Sequence, residues 1–215
     1  MITGEQTLEK SAAAQKANTE PVMIPQIPEK TLCLKSGRKV RFRKLARNDE
    51  PLLFSYLQNL SDRSRGWFKP HKFDAGTVHN VCVQLEKDGI LRMIVEPLDA
   101  SPEFIAYFLL YFGLRPRTVE NYASYGIDLH PDAGCELAPS VSDACQNTGL
   151  GSLIMTEMIR MAEESGRKQI VLWGGVNSQN LRAVHFYEKF GFVTVHLNKE
   201  MNKKDMILNL NRKES

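Results

Sequence analysis

No stretch of this 215-residue chain is apolar for long enough to cross a bilayer. The longest apolar run, Ile105 to Phe112, falls far short of the roughly 20 residues that a spanning helix needs. No basic-then-apolar leader opens the chain, so the expectation is a cytoplasmic protein with no membrane partner. Cysteine is sparse. Cys33, Cys82, Cys135 and Cys145 include no C-x-x-C pair, and a chain of this length needs no staples to hold its core, so free thiols are expected. His130, Asp132, Cys135 and Glu136 are near in sequence, but their spacing fits no common ligand pattern and no metal site is expected. With 28 Lys and Arg against 25 Asp and Glu, the net charge is +3, well below the concentrated basic stripe of a nucleic-acid binder.

Three motifs are missing as well. Without G-x-x-x-x-G-K-[ST] there is no P-loop lysine; without G-x-G-x-x-G the dinucleotide reading weakens. The absence of G-x-S-x-G leaves a serine-hydrolase elbow unsupported.

What is present describes one globular domain. Hydrophobic residues make up 42% of the chain and charged residues 25%, the balance of a protein with a real core. Residues 1–30 are polar, then punctuated by Pro21, Pro25 and Pro28, and read as a flexible tail ahead of a domain over 31–215. Thr31–Leu34 and Lys39–Leu45 form a hairpin signal around Gly37. Asn48 or Asp49 can cap a helix carrying Leu52, Leu53, Tyr56, Leu57 and Leu60, and Asp74 a second one carrying Val78, Val81, Cys82 and Leu85. Strands follow over Leu91–Glu96 and Phe104–Phe112, with a further strand over Tyr122–Leu129 the weakest of these readings. Cys135–Ser142 is extended, and Pro139 within it points to an irregularity such as a bulge. Helices over Gly149–Glu164 and Gln179–Phe190 alternate with short strands over Gln169–Trp173, Phe192–Leu197 and Met206–Leu210. Antiparallel strands followed by strand–helix–strand–helix make a mixed sheet with helices on both faces, an α/β (α+β) architecture.

The chemistry-bearing segment is QNTGLG, Gln146 to Gly151. It presents backbone N–H groups from Asn147 to Ser152 where the dipole of the following helix is positive. Gly149 permits unusual dihedrals and Gly151 permits close approach of a ligand. The product is an anion cradle suited to a pyrophosphate. A second block follows a strand: N-x-x-A-x-x-F-Y-E-K-x-G-F, Asn180 to Phe192.

Together, VSDACQNTGLG at 141–151 and the block at 180–192 resemble the two signature motifs of the GNAT N-acetyltransferases. The clear likeness covers residues 134–192. A looser one, in 41–73 and 134–151, is to the acetyltransferase domain of bacterial protein-lysine acetyltransferases. The resemblance implies a GNAT fold with a mostly antiparallel sheet of six to seven strands, splayed between the fourth and fifth. It implies acetyl-CoA as co-substrate, with direct attack by a primary amine. Under it, backbone around Val141, Ser142 and Asp143 would bond pantetheine, and Gln146, Asn147, Thr148, Gly149, Leu150, Gly151 and Ser152 would hold the pyrophosphate. Asn180 would fix the cofactor or orient Tyr187, and Tyr187 would donate a proton to the departing thiolate; Lys189 either approaches the phosphates or is an exposed helix lysine, the simpler reading. Glu136 is either the base for the amine or a carboxylate in a structural ion pair.

The connector SDRSRGWFKPHKF, residues 61–73, places Arg63, Arg65, Lys69, His71 and Lys72 beside Trp67, Phe68 and Phe73. It is either an acceptor wall for an anion-bearing substrate or a solvated loop whose aromatics enter the core. The acceptor stays open between a small-molecule amine and a peptide or protein lysine. A non-catalytic acyl-CoA-binding domain is the third reading, and a homodimer is as compatible with the sequence as a monomer.

Overall fold

The computed structural model describes residues 27–85, 88–99 and 102–210. Most of the tail expected over 1–30 lies outside the described residues. A hairpin comes first, β1 (Lys30–Cys33) and β2 (Lys39–Lys44), antiparallel around a turn in which the Gly37 N–H donates to the Leu34 carbonyl at 2.9 Å. Helix α1 (Glu50–Asn59) buries Leu53, Tyr56 and Leu57, the face read from their spacing. The connector contains a short helix, α2 (Asp62–Trp67), with Ser61 as its N-cap. Helix α3 (Ala75–Val83) starts where expected, with the Asp74 carboxylate accepting from the Thr77 N–H at 2.9 Å.

Strands β3 (Ile90–Pro97) and β4 (Ala106–Tyr111) continue the antiparallel run from β2. Residues 122–129 are not a strand. Pro116 opens helix α4 (Pro116–Ser124), and Val119 and Tyr122, one helical turn apart, pack with Leu114, Leu129, Val171 and Ile207. The Tyr122 hydroxyl donates to the Met206 carbonyl at 3.0 Å, which ties the helix to the sheet. Then come β5 (Gly134–Val141), α5 (Leu150–Glu164), β6 (Gln169–Leu172), the two-residue β7 (Val176–Asn177), α6 (Leu181–Lys189), β8 (Val193–Asn198) and β9 (Lys203–Asn209).

Among the described residues the strands form one sheet of order β1-β2-β3-β4-β5-β6-β9-β7, with β8 on β9 and only β5–β6 parallel. The described residues hold nine strands rather than six to seven; β7 alone is too short to leave any periodic signal. Two cores lie on opposite faces. Helices α5 and α6 cover one that includes Leu137, Met158, Val184 and Tyr187, while α1 and α3 cover the other, with Tyr107, Leu109 and Ala138.

The irregularity at Pro139 is not a bulge. The β4–β5 register runs unbroken from Tyr111↔Glu136 to Ala106↔Val141. Pairing of β5 with β6 instead ends at Leu137↔Leu172, just beyond which the Trp173 N–H donates to the Leu137 carbonyl. Ser142 donates to Ile105 at 2.9 Å, so in an antiparallel ladder the even-numbered residues of β5 bond β4 and the odd-numbered ones point towards β6. The N–H that Pro139 lacks therefore faces the side where the partner has already departed. The opening expected between the fourth and fifth strands accordingly lies between β5 and β6 in this count.

Candidate active site

Where β5 and β6 part, a cleft of about 880 Å³ opens. Its walls come from the β1–β2 turn, α2, the end of β5, the loop before α5, β7 and the inward face of α6. Pro139 and Val141 expose their strand-edge polar groups on this side, and the Val141 carbonyl accepts from the Gln146 side-chain amide at 3.1 Å. A short 3₁₀ turn, Asp143–Cys145, carries the chain from β5 to the loop. The loop then turns through two left-handed residues, Asn147 (φ 64°) and Gly149 (φ 88°), before α5 begins. The first intrahelical-type bond is Leu153 N–H to the Gly149 carbonyl at 3.1 Å. The N–H groups just before it have no acceptor within the helix, so they present the positive end of α5 to the cleft. A Cβ on Gly151 would lie 3.6 Å from the Phe186 ring and 3.9 Å from Val141, on the cleft side of the backbone.

The sequence-predicted residues divide into those that border this space and those that support it. Val141, Gln146, Asn147, Thr148, Gly149, Gly151, Ser152, Asn180 and Tyr187 line the cleft. Ser142 remains in the ladder with β4, and the Leu150 side chain is fully buried in the core. Asp143 faces α2: its carboxylate accepts from Ser61 N–H (2.9 Å), Ser61 Oγ (2.9 Å) and Ser64 Oγ (2.7 Å). Burial pulls this carboxyl upward, but those three donors outweigh it and hold it below the ordinary aspartate range. Asn180 has a local duty as well, since its side chain caps α6 by accepting from the Ala183 N–H at 3.2 Å.

Tyr187 is 8% exposed, on the α5–α6 side, with its ring edge-on to Phe186 and Phe192. Burial raises its phenol above the ordinary tyrosine range, so it keeps its proton throughout neutral and mildly alkaline pH. Glu136 is wholly buried on β5. Its Oε1 accepts from Arg115 N–H (2.8 Å) and Thr118 Oγ1 (2.7 Å), and its Oε2 from the Arg115 guanidinium through Nε (2.8 Å) and a terminal nitrogen. Four donors fill the four lone-pair positions of a carboxylate. Arg115 in turn stacks on Trp173 at 3.8 Å. Among the described residues no Asp or Glu side chain lines the cleft, whereas Lys35, Arg182 and Lys189 do.

Residues 102–192, spanning β4 to the end of α6, match the model of the Acetyltransferase (GNAT) family. This is a GNAT acetyltransferase fold. The GNAT domain of S. lividans PAT superposes with a TM-score of 0.68 at 19% identity, covering 86% of this chain and 100% of the other. Ribosomal-protein-S5-alanine acetyltransferase from Vibrio fischeri gives 0.64 at 11% identity, covering 86% and 100%. Aminoglycoside acetyltransferase AAC(6')-Ib in complex with coenzyme A gives 0.59 at 19%, covering 79% and 94%. No curated protein matches the chain by sequence.

Around the cleft, several lining residues carry no motif. Lys35, Cys33 and Ser64 arrive from elements that tertiary structure alone brings together, and Arg182 stands at a variable position of the second block. The connector 61–73 is split in use. Trp67 and Phe68 reach the cleft, and Arg63 lies 5.2 Å from the Trp67 ring. The Arg65 guanidinium closes the end of α1 by donating to the Leu60 carbonyl (2.9 Å) and the Gln58 carbonyl. With Lys69, His71, Lys72 and Phe73 it also lines a separate basic hollow of about 500 Å³.

Proposed function

We propose that this GNAT domain transfers an acetyl group from acetyl-CoA to a primary amine by direct attack, without an acyl-enzyme intermediate. One juxtaposition supports the reading: a left-handed glycine turn feeding α5, an opened strand edge and a buried phenol border a single cleft. The donors fit a long, anionic, amide-bearing ligand. The N–H groups from Asn147 to Ser152 suit its diphosphate, the free edge at Pro139 and Val141 suits its amides, and the cleft offers cations and no carboxylate among the described residues. The Val141 carbonyl accepts from the Gln146 amide and keeps a second lone pair for a ligand amide.

Acetyl-CoA supplies an activated thioester. Tyr187 then has one task, to hand its hydroxyl proton to the sulfur as the carbon–sulfur bond breaks; the amine's surplus proton leaves to water, and water returns a proton to the phenolate. Burial keeps the phenol protonated and at the same time makes it a weaker acid, so the proton moves only as negative charge builds on the sulfur; general acid catalysis is typically worth about 10²–10⁴-fold. We read Glu136 as the ion-pair partner of Arg115, because its four lone-pair positions already accept bonds and none is left to receive an amine or a water.

Calorimetric titration with acetyl-CoA tests the binding half of the proposal, and release of free CoA thiol across a panel of primary amines tests the transfer. Tyr187→Phe is expected to lower turnover at least about tenfold with an unchanged Kd for acetyl-CoA. A protein with no affinity for any CoA species refutes the whole reading; a near-wild-type rate in Tyr187→Phe removes the acid.

A further inference from the structure

The β1–β2 turn forms one wall of the cleft, and neither the signature loop nor α6 accounts for its presence there. It is a tight turn on a firm base. Leu34 is 8% exposed in the main core, its N–H donates to the Arg38 carbonyl at 2.9 Å, and its carbonyl accepts from Gly37 at 2.9 Å. The residue that this base projects is Lys35. Its Cδ lies 4.0 Å from where a Cβ on Gly149 would stand, so the lysine stem lies over the left-handed turn that opens α5.

Two more observations bear on what Lys35 does there. Its neighbour Arg38 is engaged with Asp99 at 3.0 Å, whereas Lys35 has no ion-pair partner among the described residues. The two other cations of the cleft come from α6, Arg182 near its start and Lys189 in its last turn. Lys35 is exposed, so its ammonium stays hydrated and free to move until an anion arrives within its reach. With its stem beside the turn that precedes α5, in a cleft without a lining carboxylate among the described residues, Lys35 meets an anion only when a ligand brings one.

Resting on the acetyl-CoA reading above, we propose that Lys35 closes over the diphosphate of CoA from the side opposite α5, making the N-terminal hairpin part of the cofactor site. The backbone N–H groups of the loop bond one side of the diphosphate, and the Lys35 ammonium neutralises the other. The contact is a point charge on a phosphate, so charge matters more than the geometry of a planar fork.

The test is direct binding of CoA, 3'-dephospho-CoA and pantetheine by wild type, Lys35→Met and Lys35→Arg in the full chain. Met keeps the length of the stem and removes the charge; Arg restores the charge. Lys35→Met is expected to weaken CoA and dephospho-CoA alike by about five- to tenfold, with a shallower salt dependence, and to leave pantetheine unchanged. Lys35→Arg is expected to recover most of the loss. Unchanged affinity for both nucleotides in Lys35→Met overturns the proposal. So does a loss confined to CoA, which would put the lysine on the 3'-phosphate, or an equal loss for pantetheine, which would make its role steric. If wild type binds none of the three, the acetyl-CoA reading itself fails, and that outcome is distinct from any failure of Lys35.

Discussion

At Gly151 the requirements of the helix and of the ligand oppose each other. In the second position of α5 glycine costs about 0.5–1 kcal/mol relative to alanine. An added Cβ would meet Phe186 at 3.6 Å, an ordinary contact, so the protein alone gives no reason for glycine. The reason on the proposed function is the cofactor, whose phosphates approach the backbone on that same side. Gly151→Ala is therefore expected to match or exceed the wild-type melting temperature while weakening acetyl-CoA binding, measured by thermal unfolding and titration on one sample. Equal acetyl-CoA affinity would show that the close approach is not needed. Gly149 differs, since its φ of 88° demands glycine whether or not a ligand binds. Both glycines were legible in the sequence because a glycine at a helix start is a local signal. Lys35 was not. It lies more than a hundred positions before Gly149, and no spacing rule spans the hairpin that brings the two together.

Between elements, Glu136 does the work that sequence reading left undecided. It fastens β5 to the start of α4 through Arg115 and Thr118, at the point where the chain leaves β4 and crosses the sheet. Glu136→Gln keeps the shape but leaves the Arg115 guanidinium without its countercharge, and breaking one side of a buried pair typically costs about 3–5 kcal/mol. Arg115 keeps 37% side-chain exposure and can turn to water, so the lower end of that range or less is expected in urea unfolding. The pH–rate profile is expected to keep its shape, and loss of its basic limb in Glu136→Gln would make this carboxylate the base instead. The same element scale explains what was readable. Helices α5 and α6 were visible because their apolar faces and closing glycines are local. Helix α2 was not, since half of its N-terminal cap is Asp143, distant in sequence by 82 positions. Helix α4 was missed because it buries Tyr122 alone, giving an apolar stripe too thin to outvote a strand reading.

Across the whole molecule, shifted groups of two kinds enclose a window of maximum stability. His71 belongs to the acid side. Burial is the largest influence on it and lowers its pKa from 6.5, with the Arg92 guanidinium adding to the effect, while its Nδ1 contacts the Lys72 carbonyl and its ring packs on Phe73 and Tyr107. As pH falls through 6.5 the unfolded chain takes up this proton before the folded one does, so stability present above that pH is progressively lost below it. Asp143 and Glu157, both held below their ordinary ranges by donors that outweigh burial, extend the loss to lower pH. On the alkaline side burial raises Cys82 from 9.0 to about 11 and Cys135 from 9.0 to about 12. There the unfolded chain releases its protons first, and stability declines as pH rises past 9.0. Chemical denaturation should thus give a plateau between these limits with a shoulder on each side. The acid shoulder is assigned by His71→Gln, whose stability is expected to stay flat from about pH 6.5 down to about pH 5.5, where wild type already declines. Parallel decline of the two proteins over that interval would move the first acid step away from His71, and the hollow it lines with Arg65, Lys69 and Lys72 would then have no part in the pH response.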